Sequence, residues 1–167
     1  MLEIDLGIHC GPYLDVNAVC ILVLAMSSTS TVRVEDIPRR VRILIADDHP
    51  VIRKAVRSTL QRHPRFHVCG EAVDGAKAIQ EAKRLKPDVV VLNVSMPVLN
   101  GFEAAREIKE KLPKSAIVIL SSHVDKRFVE EAKKLGARAY VAKTKLGEAL
   151  VKAIEAAVIG EDFVLIE

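Results

Sequence analysis

The stretch that decides the fold is VVVLNVSMPVLNG, residues 89–101, in which a run of four aliphatic residues ends at the polar Asn93. An unbroken apolar run of this length is typical of a parallel strand that helices cover on both faces. RILIA, residues 42–46, and AIVIL, residues 116–120, have the same character. The sequence therefore predicts a parallel sheet with a buried centre.

Working outward from these runs, short aliphatic segments alternate with segments of helical period between residues 41 and 160. This alternation predicts a doubly wound α/β fold, with one five-stranded parallel sheet and five helices on its two faces. The predicted strands are Arg42–Ala46, His67–Ala72, Val89–Asn93, Ala116–Leu120 and Ala139–Ala142. The predicted helices are Pro50–Arg62, Ala76–Leu85, Gly101–Leu112, Lys126–Leu135 and Leu146–Ile159.

Composition limits the classes of protein to which the chain can belong. Its 167 residues are 50% hydrophobic and 28% charged and include no Trp, which fits one domain with an aliphatic core. A disordered chain, a disulfide scaffold and a large multidomain enzyme are excluded. The 3 cysteines have neither metal nor redox spacing, so we expect a reducing, cytoplasmic location. A net charge of +3 indicates solvated helix faces, and we expect no direct binding to DNA.

The two ends of the chain lack the alternation of strand and helix patterns that residues 41–160 show. Residues 18–26, AVCILVLAM, form an apolar run too short for a bilayer span of about 20 residues, and no membrane association is expected. Residues 1–40 are predicted to be a poorly structured extension, or the product of a misassigned start with Met26 as the natural first residue. Residues 161–167 form a tail whose FVLI run is exposed unless it packs back or meets a partner.

Polar side chains follow four of the predicted strands. Asp47 and Asp48 follow the first strand, Asn93 ends the third, Ser121 follows the fourth and Lys143 follows the fifth. Ligands of open α/β sheets bind at the carboxyl ends of the strands, so these side chains should meet in one pocket. Paired carboxylates suit Mg²⁺, and a hydroxyl with an ammonium suits phosphoryl oxygens. Taken singly, an acidic pair can simply cap a helix, and the Ser and Lys can be turn or surface residues.

With these motifs the sequence resembles the receiver domain of two-component response regulators over about residues 41–160. The resemblance rests on ILIADDHPVIR, VVVLNVSMPVLNGFEAAREI, VILSSH and GARAYVAKT. The last part is similar to the branch that usually carries a LuxR-type helix-turn-helix output domain. The resemblance implies the flavodoxin-like receiver fold and a role in phosphorelay signal transduction.

The resemblance also implies roles for individual residues. Tyr140 matches the aromatic switch; without a switch it would be a half-buried strand residue with its hydroxyl in water. The other matches are the Mg²⁺-binding pair Asp47 and Asp48, with Asp48 the expected direct ligand, the hydroxyl residue Ser121, the phosphate-pairing Lys143, and the loop-shaping Pro97 and Gly101.

Asn93 stands where the family has its phosphoaccepting aspartate. A carboxamide lacks the anionic oxygen that attacks phosphorus, and no other residue substitutes for it. The pocket also loses one negative charge, so Mg²⁺ is expected to bind weakly. Lys143 loses its closest anionic partner and is free to pair with Asp48 instead. The sequence therefore predicts a pseudo-receiver, a binding module without enzymatic activity.

Only seven residues follow Gly160, which leaves no room for an output domain and predicts a stand-alone module. Its expected partner is a histidine kinase, a phosphotransfer protein or another regulator, bound through about residues 126–160, and a homodimer is also possible. Two alternatives stay open. One is a receiver switched by Mg²⁺ or another ligand at the acidic pocket. The other is a small flavodoxin-like cofactor-binding protein, which the lack of GxGxxG and GxxxxGK[ST] motifs disfavours.

Overall fold

Six parallel strands form one sheet in the order β2-β1-β3-β4-β5-β6 in the computed structural model, which describes residues 39–161 and 163–166. The strands are β1 (Val41–Ala46), β2 (Phe66–Ala72), β3 (Val89–Asn93), β4 (Ala116–Ser121), β5 (Ala139–Ala142) and β6 (Val164–Ile166). The helices are α1 (Pro50–Gln61), α2 (Gly75–Leu85), α3 (Gly101–Lys111), α4 (Lys126–Lys134) and α5 (Glu148–Ile159).

The predicted doubly wound fold is confirmed, and the sheet has one strand more than the five predicted. The additional strand, β6, pairs with β5, so the predicted C-terminal tail packs back onto the sheet. The predicted extension, residues 1–40, lies outside the described residues except for its last two. Among the helices of residues 39–161, none combines the length and apolar character needed to cross a membrane.

Both faces of the sheet are buried because the aliphatic strands send alternate side chains to opposite sides. Leu44, Leu92 and Ile119 pack with α2, α3 and α4 on one face. Ile43 and Val91 pack with α1 and α5 on the other. The unbroken apolar runs in the sequence thus correspond to strands covered on both sides.

The helix starts follow from local side chains. Asn100 accepts hydrogen bonds from the backbone N–H groups of Phe102 and Glu103, and the Glu103 carboxylate accepts the Asn100 N–H in return. This capping box fixes the first turn of α3 immediately after β3. Helix α5 begins at Glu148, two residues later than predicted, because Gly147, with φ of 113°, separates it from a short 3₁₀ helix over residues 143–145.

The strand order reverses between β1 and β3, which lie side by side at the centre of the sheet. Connections from these two strands run to opposite faces, and a crevice opens at their carboxyl ends. Asp47 and Asp48 follow β1 directly, and Asn93 is the last residue of β3. The topology therefore places all three at one edge of the sheet.

Candidate functional site

The Asp47 carboxylate is a buried charge, only 1% exposed, and it is fully paired. Its Oδ1 accepts the backbone N–H of His49 at 2.9 Å, and its Oδ2 lies 2.6 Å from Nζ of Lys143. The Lys143 side chain is itself 10% exposed. A buried carboxylate is tolerated only with a close counter-charge, so this ion pair holds the floor of the crevice.

Lys143 therefore pairs with Asp47, and the predicted pairing with Asp48 is wrong. The reason lies in the donors around each carboxylate. Asp48 already receives the amide of Asn93, whereas Oδ2 of Asp47 has no hydrogen-bond donor among the described residues and has only the ammonium as a close partner. The ammonium neutralises the more deeply buried of the two carboxylates.

Asp48 lies at the mouth of the crevice and is partly exposed. Its Oδ1 accepts a hydrogen bond from Nδ2 of Asn93 at 3.0 Å and lies 2.9 Å from Nδ1 of His49. Burial alone would raise the pKa of Asp48, but the hydrogen bonds to its carboxylate and the interaction with His49 outweigh burial and lower that pKa. Asp48 is thus held as a carboxylate by donors from its own chain.

Asn93 is 4% exposed, and both hydrogens of its amide are used. Nδ2 donates to Oδ1 of Asp48 at 3.0 Å and to the backbone carbonyl of Ser95 at 2.8 Å. Both partners are acceptors, so the position requires a donor. An aspartate in the same orientation would set a second anionic oxygen against Asp48 with no proton or cation between them.

His49 is a further member of this site, in addition to the residues predicted from the sequence. It is the N-cap residue of α1, and its ring lies beside both carboxylates, with Nδ1 3.3 Å from Oδ1 of Asp47. Asp47, Asp48 and His49 each offer a ligand atom, and these atoms lie within 4.8 Å of one another. The two carboxylates suit Mg²⁺, and the imidazole is a softer third ligand.

Arg53 and Glu71 stabilise the acidic loop through hydrogen bonds, and neither residue was predicted from the sequence to belong to the site. Nη1 of Arg53 donates to the backbone carbonyls of Asp47 at 2.7 Å and Asp48 at 3.2 Å, while its Nε donates to Glu71. Arg57 also donates to Glu71. Burial would raise the pKa of Glu71, but the two guanidinium groups outweigh burial and lower it. One sequence signal was present, because Arg53 lies one turn into the helix that follows the acidic pair.

Ser121 and Tyr140 lie beside the crevice, with their hydroxyls directed to the loop after β4. Oγ of Ser121 accepts the backbone N–H of His123 at 3.0 Å, and the Tyr140 hydroxyl donates to the His123 carbonyl. Tyr140 is 0% exposed, so the alternative of a half-buried ring with its hydroxyl in water is wrong. Burial raises the pKa of Tyr140, against a smaller opposing effect of Ser121.

The loop between β3 and α3 is shaped by Pro97 and Gly101. A Cβ on Gly101 would lie 2.0 Å from the backbone oxygen of Asn93, so any side chain there would push α3 away from β3. The carbonyl of Pro97 accepts the N–H of Leu99 at 2.7 Å in a three-residue turn. Its central residue, Val98, has φ of 68°, a conformation that β-branched residues rarely adopt.

Comparison with known proteins agrees with this geometry. Residues 43–155 match the model of the response regulator receiver domain family, and the chain belongs to this family. A transcriptional regulatory protein of Bacillus subtilis (strain 168), YxjL, is 40% identical over 122 residues, which are 73% of this chain and 56% of that protein. The nitrate/nitrite response regulator NarL of Escherichia coli (strain K12) is 37% identical over 119 residues, covering 71% and 55%. The chain thus spans about half the length of these relatives.

Solved structures show the same relationship. A LuxR-family two-component response regulator from Aurantimonas sp. SI85-9A1 superposes with a TM-score of 0.71 at 34% identity, over 74% of this chain and 89% of that one. The receiver domain of the NarL protein of Mycobacterium tuberculosis gives a TM-score of 0.64 at 30% identity, over 71% and 98%. The predicted receiver resemblance is therefore confirmed, and the chain carries the receiver domain found in two-component response regulators.

Proposed function

We propose that this receiver is a pseudo-receiver: it accepts no phosphoryl group on its third strand and acts in the cytoplasm as a non-enzymatic binding module. The observation that best supports this proposal is that the amide of Asn93 donates hydrogen bonds to Asp48 and to the carbonyl of Ser95. Aspartyl phosphorylation needs an anionic oxygen at this position, and the residue present is a neutral donor.

The charges of the pocket support a resting state that needs no added ion. Lys143 neutralises Asp47 at 2.6 Å, and Asn93 and His49 lie against Asp48. In such a pocket Mg²⁺ has to compete with donors that are already in place, and it meets one carboxylate fewer than an aspartate at residue 93 would provide. Weak Mg²⁺ binding through Asp47 and Asp48 is the expected result.

The test is phosphorylation by acetyl phosphate with Mg²⁺, followed by intact-protein mass spectrometry. The unsubstituted chain should gain no phosphoryl mass. Asn93→Asp should gain a phosphoryl group that hydroxylamine removes, because the acidic pair and Lys143 are all still present. Asn93→Ala is the matched control and should remain unlabelled. Phosphorylation of the unsubstituted chain at an acyl phosphate would overturn the proposal.

The binding surface proposed for a protein partner is about residues 126–160, which comprise α4, β5 and α5. The partner class is a histidine kinase, a phosphotransfer protein or another regulator, and no direct contact with DNA is expected. Affinity capture with the unsubstituted chain and Asn93→Asp side by side tests how the pocket and this surface are related. Equal recovery of a partner indicates a constitutive adaptor, and unequal recovery indicates that the pocket influences the surface.

A second candidate is a receiver switched by a divalent cation, favoured by the cluster of Asp47, Asp48 and His49. In that case the cation would displace the Asn93 amide from Asp48 and leave phosphorylation unnecessary. Titration with Mg²⁺ and with Mn²⁺, followed by NMR of the Asn93 side-chain amide, separates the two candidates. A saturable shift that is accompanied by a change in partner recovery supports the switch, and partner recovery that does not respond to the cation supports the constitutive adaptor.

A further inference from the structure

The sixth strand occupies the outer edge of β5, between the helices of the two faces. Its backbone runs parallel to β5, with Ala139, Tyr140 and Val141 opposite Val164, Leu165 and Ile166 in that order. The Val164 N–H donates to the carbonyl of Arg138 at 3.0 Å. The strand is therefore hydrogen-bonded to the centre of the surface proposed for partners.

Side chains of this segment fill both sides of the edge. Phe163 packs against the α2–α4 face, with Nζ of Lys133 5.0 Å from the centre of its ring. Val164 and Ile166 pack against the α1–α5 face. Leu165 is 42% exposed and therefore packs less closely against the sheet edge. The groove thus accepts an aromatic residue on one side and two branched aliphatic residues on the other.

The segment is attached through a tight turn and is short. Gly160 ends α5 with φ of 81°, and the Glu161 N–H donates back to the Ala156 carbonyl at 3.1 Å. Only three residues of β6 pair with β5. So short an edge strand adds few hydrogen bonds, and its detachment exposes the β5 edge while the other five strands stay paired.

We propose that the β5 edge is a strand-addition groove for extended peptides, and that residues 163–166 are its intramolecular ligand. The matching peptide runs parallel to β5, with an aromatic residue first and branched aliphatic residues second and fourth. Strand addition of this kind takes affinity from the backbone and specificity from alternate side chains. A partner strand must displace β6, so residues 163–166 lower the apparent affinity of the groove for a partner. This inference rests on the proposal that the protein acts through residues 126–160.

The test uses the full-length chain and a fluorescent peptide of sequence GEDFVLIE, residues 160–167. Val164→Pro removes the N–H that donates to Arg138 and releases the segment. Peptide binding, measured by anisotropy, should be at least about tenfold tighter to this variant than to the unsubstituted chain, because occupancy by the intramolecular ligand lowers the apparent affinity. A scrambled peptide should bind to neither.

Leu165→Pro is the matched control. Successive N–H groups of a strand point in opposite directions, so the Leu165 N–H faces away from β5 and proline there leaves the ladder intact. Its peptide affinity should equal that of the unsubstituted chain. Phe163→Ser, which removes the contact with Lys133 but no ladder hydrogen bond, should give an intermediate gain, and it decides the matter if Val164→Pro does not fold.

If Val164→Pro and Phe163→Ser fold but bind the peptide no better than the unsubstituted chain, the proposal of a strand-addition groove is overturned. Equal gains for Val164→Pro and Leu165→Pro would overturn it as well, since the ladder would then play no part. The peptide assay does not measure phosphorylation, so a negative result in it does not affect the proposal that Asn93 accepts no phosphoryl group. Conversely, phosphorylation of the unsubstituted chain would not affect the proposal of a strand-addition groove.

Discussion

Asn93 differs from the aspartate of a phosphorylatable receiver by one group, an NH₂ in place of an oxygen. That group contacts two acceptors, Oδ1 of Asp48 and the carbonyl of Ser95. At the scale of a single residue, the substitution therefore changes both the reactivity of the position and the sign of its electrostatic contribution. A donor that stabilises Asp48 replaces an anion that would need a cation beside it.

This change of sign gives a prediction for stability. Asn93→Asp in EDTA should lower the free energy of unfolding by about 1–3 kcal/mol, because a buried carboxylate would face another carboxylate and a carbonyl. Mg²⁺ should restore more stability to this variant than to the unsubstituted chain. Urea unfolding with and without Mg²⁺ measures both effects.

Asn93→Ala is the control that separates the effect of the added negative charge from the effect of losing the amide hydrogen bonds. It removes the same two hydrogen bonds but adds no anion, so Mg²⁺ should restore less stability to it than to Asn93→Asp. An equal gain from Mg²⁺ in the unsubstituted chain and Asn93→Asp would contradict the electrostatic account.

Val98 carries the second prediction at this scale. Its φ of 68° is unfavourable for a β-branched residue, and its side chain is 84% exposed, so little packing offsets the strain. Val98→Gly should raise the free energy of unfolding by about 0.5–1 kcal/mol, measured as a higher urea midpoint. Val124→Gly is the control: Val124 is also exposed but its φ is not positive, so glycine there should destabilise. A loss of stability in Val98→Gly would show that the turn gains nothing from glycine.

At the scale of elements, Glu71 joins β2 to α1 through Arg53 and Arg57. Its pKa is lowered from the ordinary value of 4.5, so its stabilising contribution is complete above about pH 4.5 and is lost as the pH falls through the lowered value. Glu71→Gln should cost about 1–3 kcal/mol at pH 7, because it weakens two charge-assisted hydrogen bonds. The difference from the unsubstituted chain should shrink below about pH 4.5.

Glu130→Gln is the control for this pH dependence. Glu130 is exposed and lies 3.9 Å from Lys126 in an i,i+4 pair, an interaction that contributes little. Its urea midpoint should follow that of the unsubstituted chain across the pH range. If the effect of Glu71→Gln persisted unchanged at pH 3, the ion pairs would not be its source.

The elements themselves could be predicted because the strands are buried on both faces and read as unbroken aliphatic runs. β3 and β5 have the predicted bounds, and α1 ends one residue earlier than predicted. The short β6 was not predicted, since three residues carry too little periodicity to define a strand; only its pairing with β5 makes it one. Likewise the start of α5 depends on Gly147, whose φ of 113° separates the helix from the preceding 3₁₀ turn.

The site was predictable as a set of positions but not as a network. Strand ends follow from the sequence, so Asp47, Asp48, Asn93 and Lys143 could be placed in one crevice. Which carboxylate Lys143 would meet depends on side-chain directions that no spacing encodes. His49 was missed for the same reason, because its ring reaches back over the loop from the N-cap position of the helix.

At the scale of the whole molecule, the crevice and the edge groove lie on one continuous sheet. β5 takes part in both, since Lys143 follows it at its carboxyl end and β6 pairs along its edge. Tyr140, in the middle of β5, pairs with Leu165 and donates to the loop after β4. A structural change in the crevice or in the groove would therefore alter the surroundings of the same four-residue strand, β5.

The burial of Tyr140 also gives the protein an optical probe of its own. The chain has no Trp and 2 Tyr, and Tyr140 is the one within the described residues. In a Tyr13→Phe variant, ultraviolet emission would come from Tyr140 alone. The ring next to the loop of His123 could then be followed during peptide or cation titrations without any attached dye.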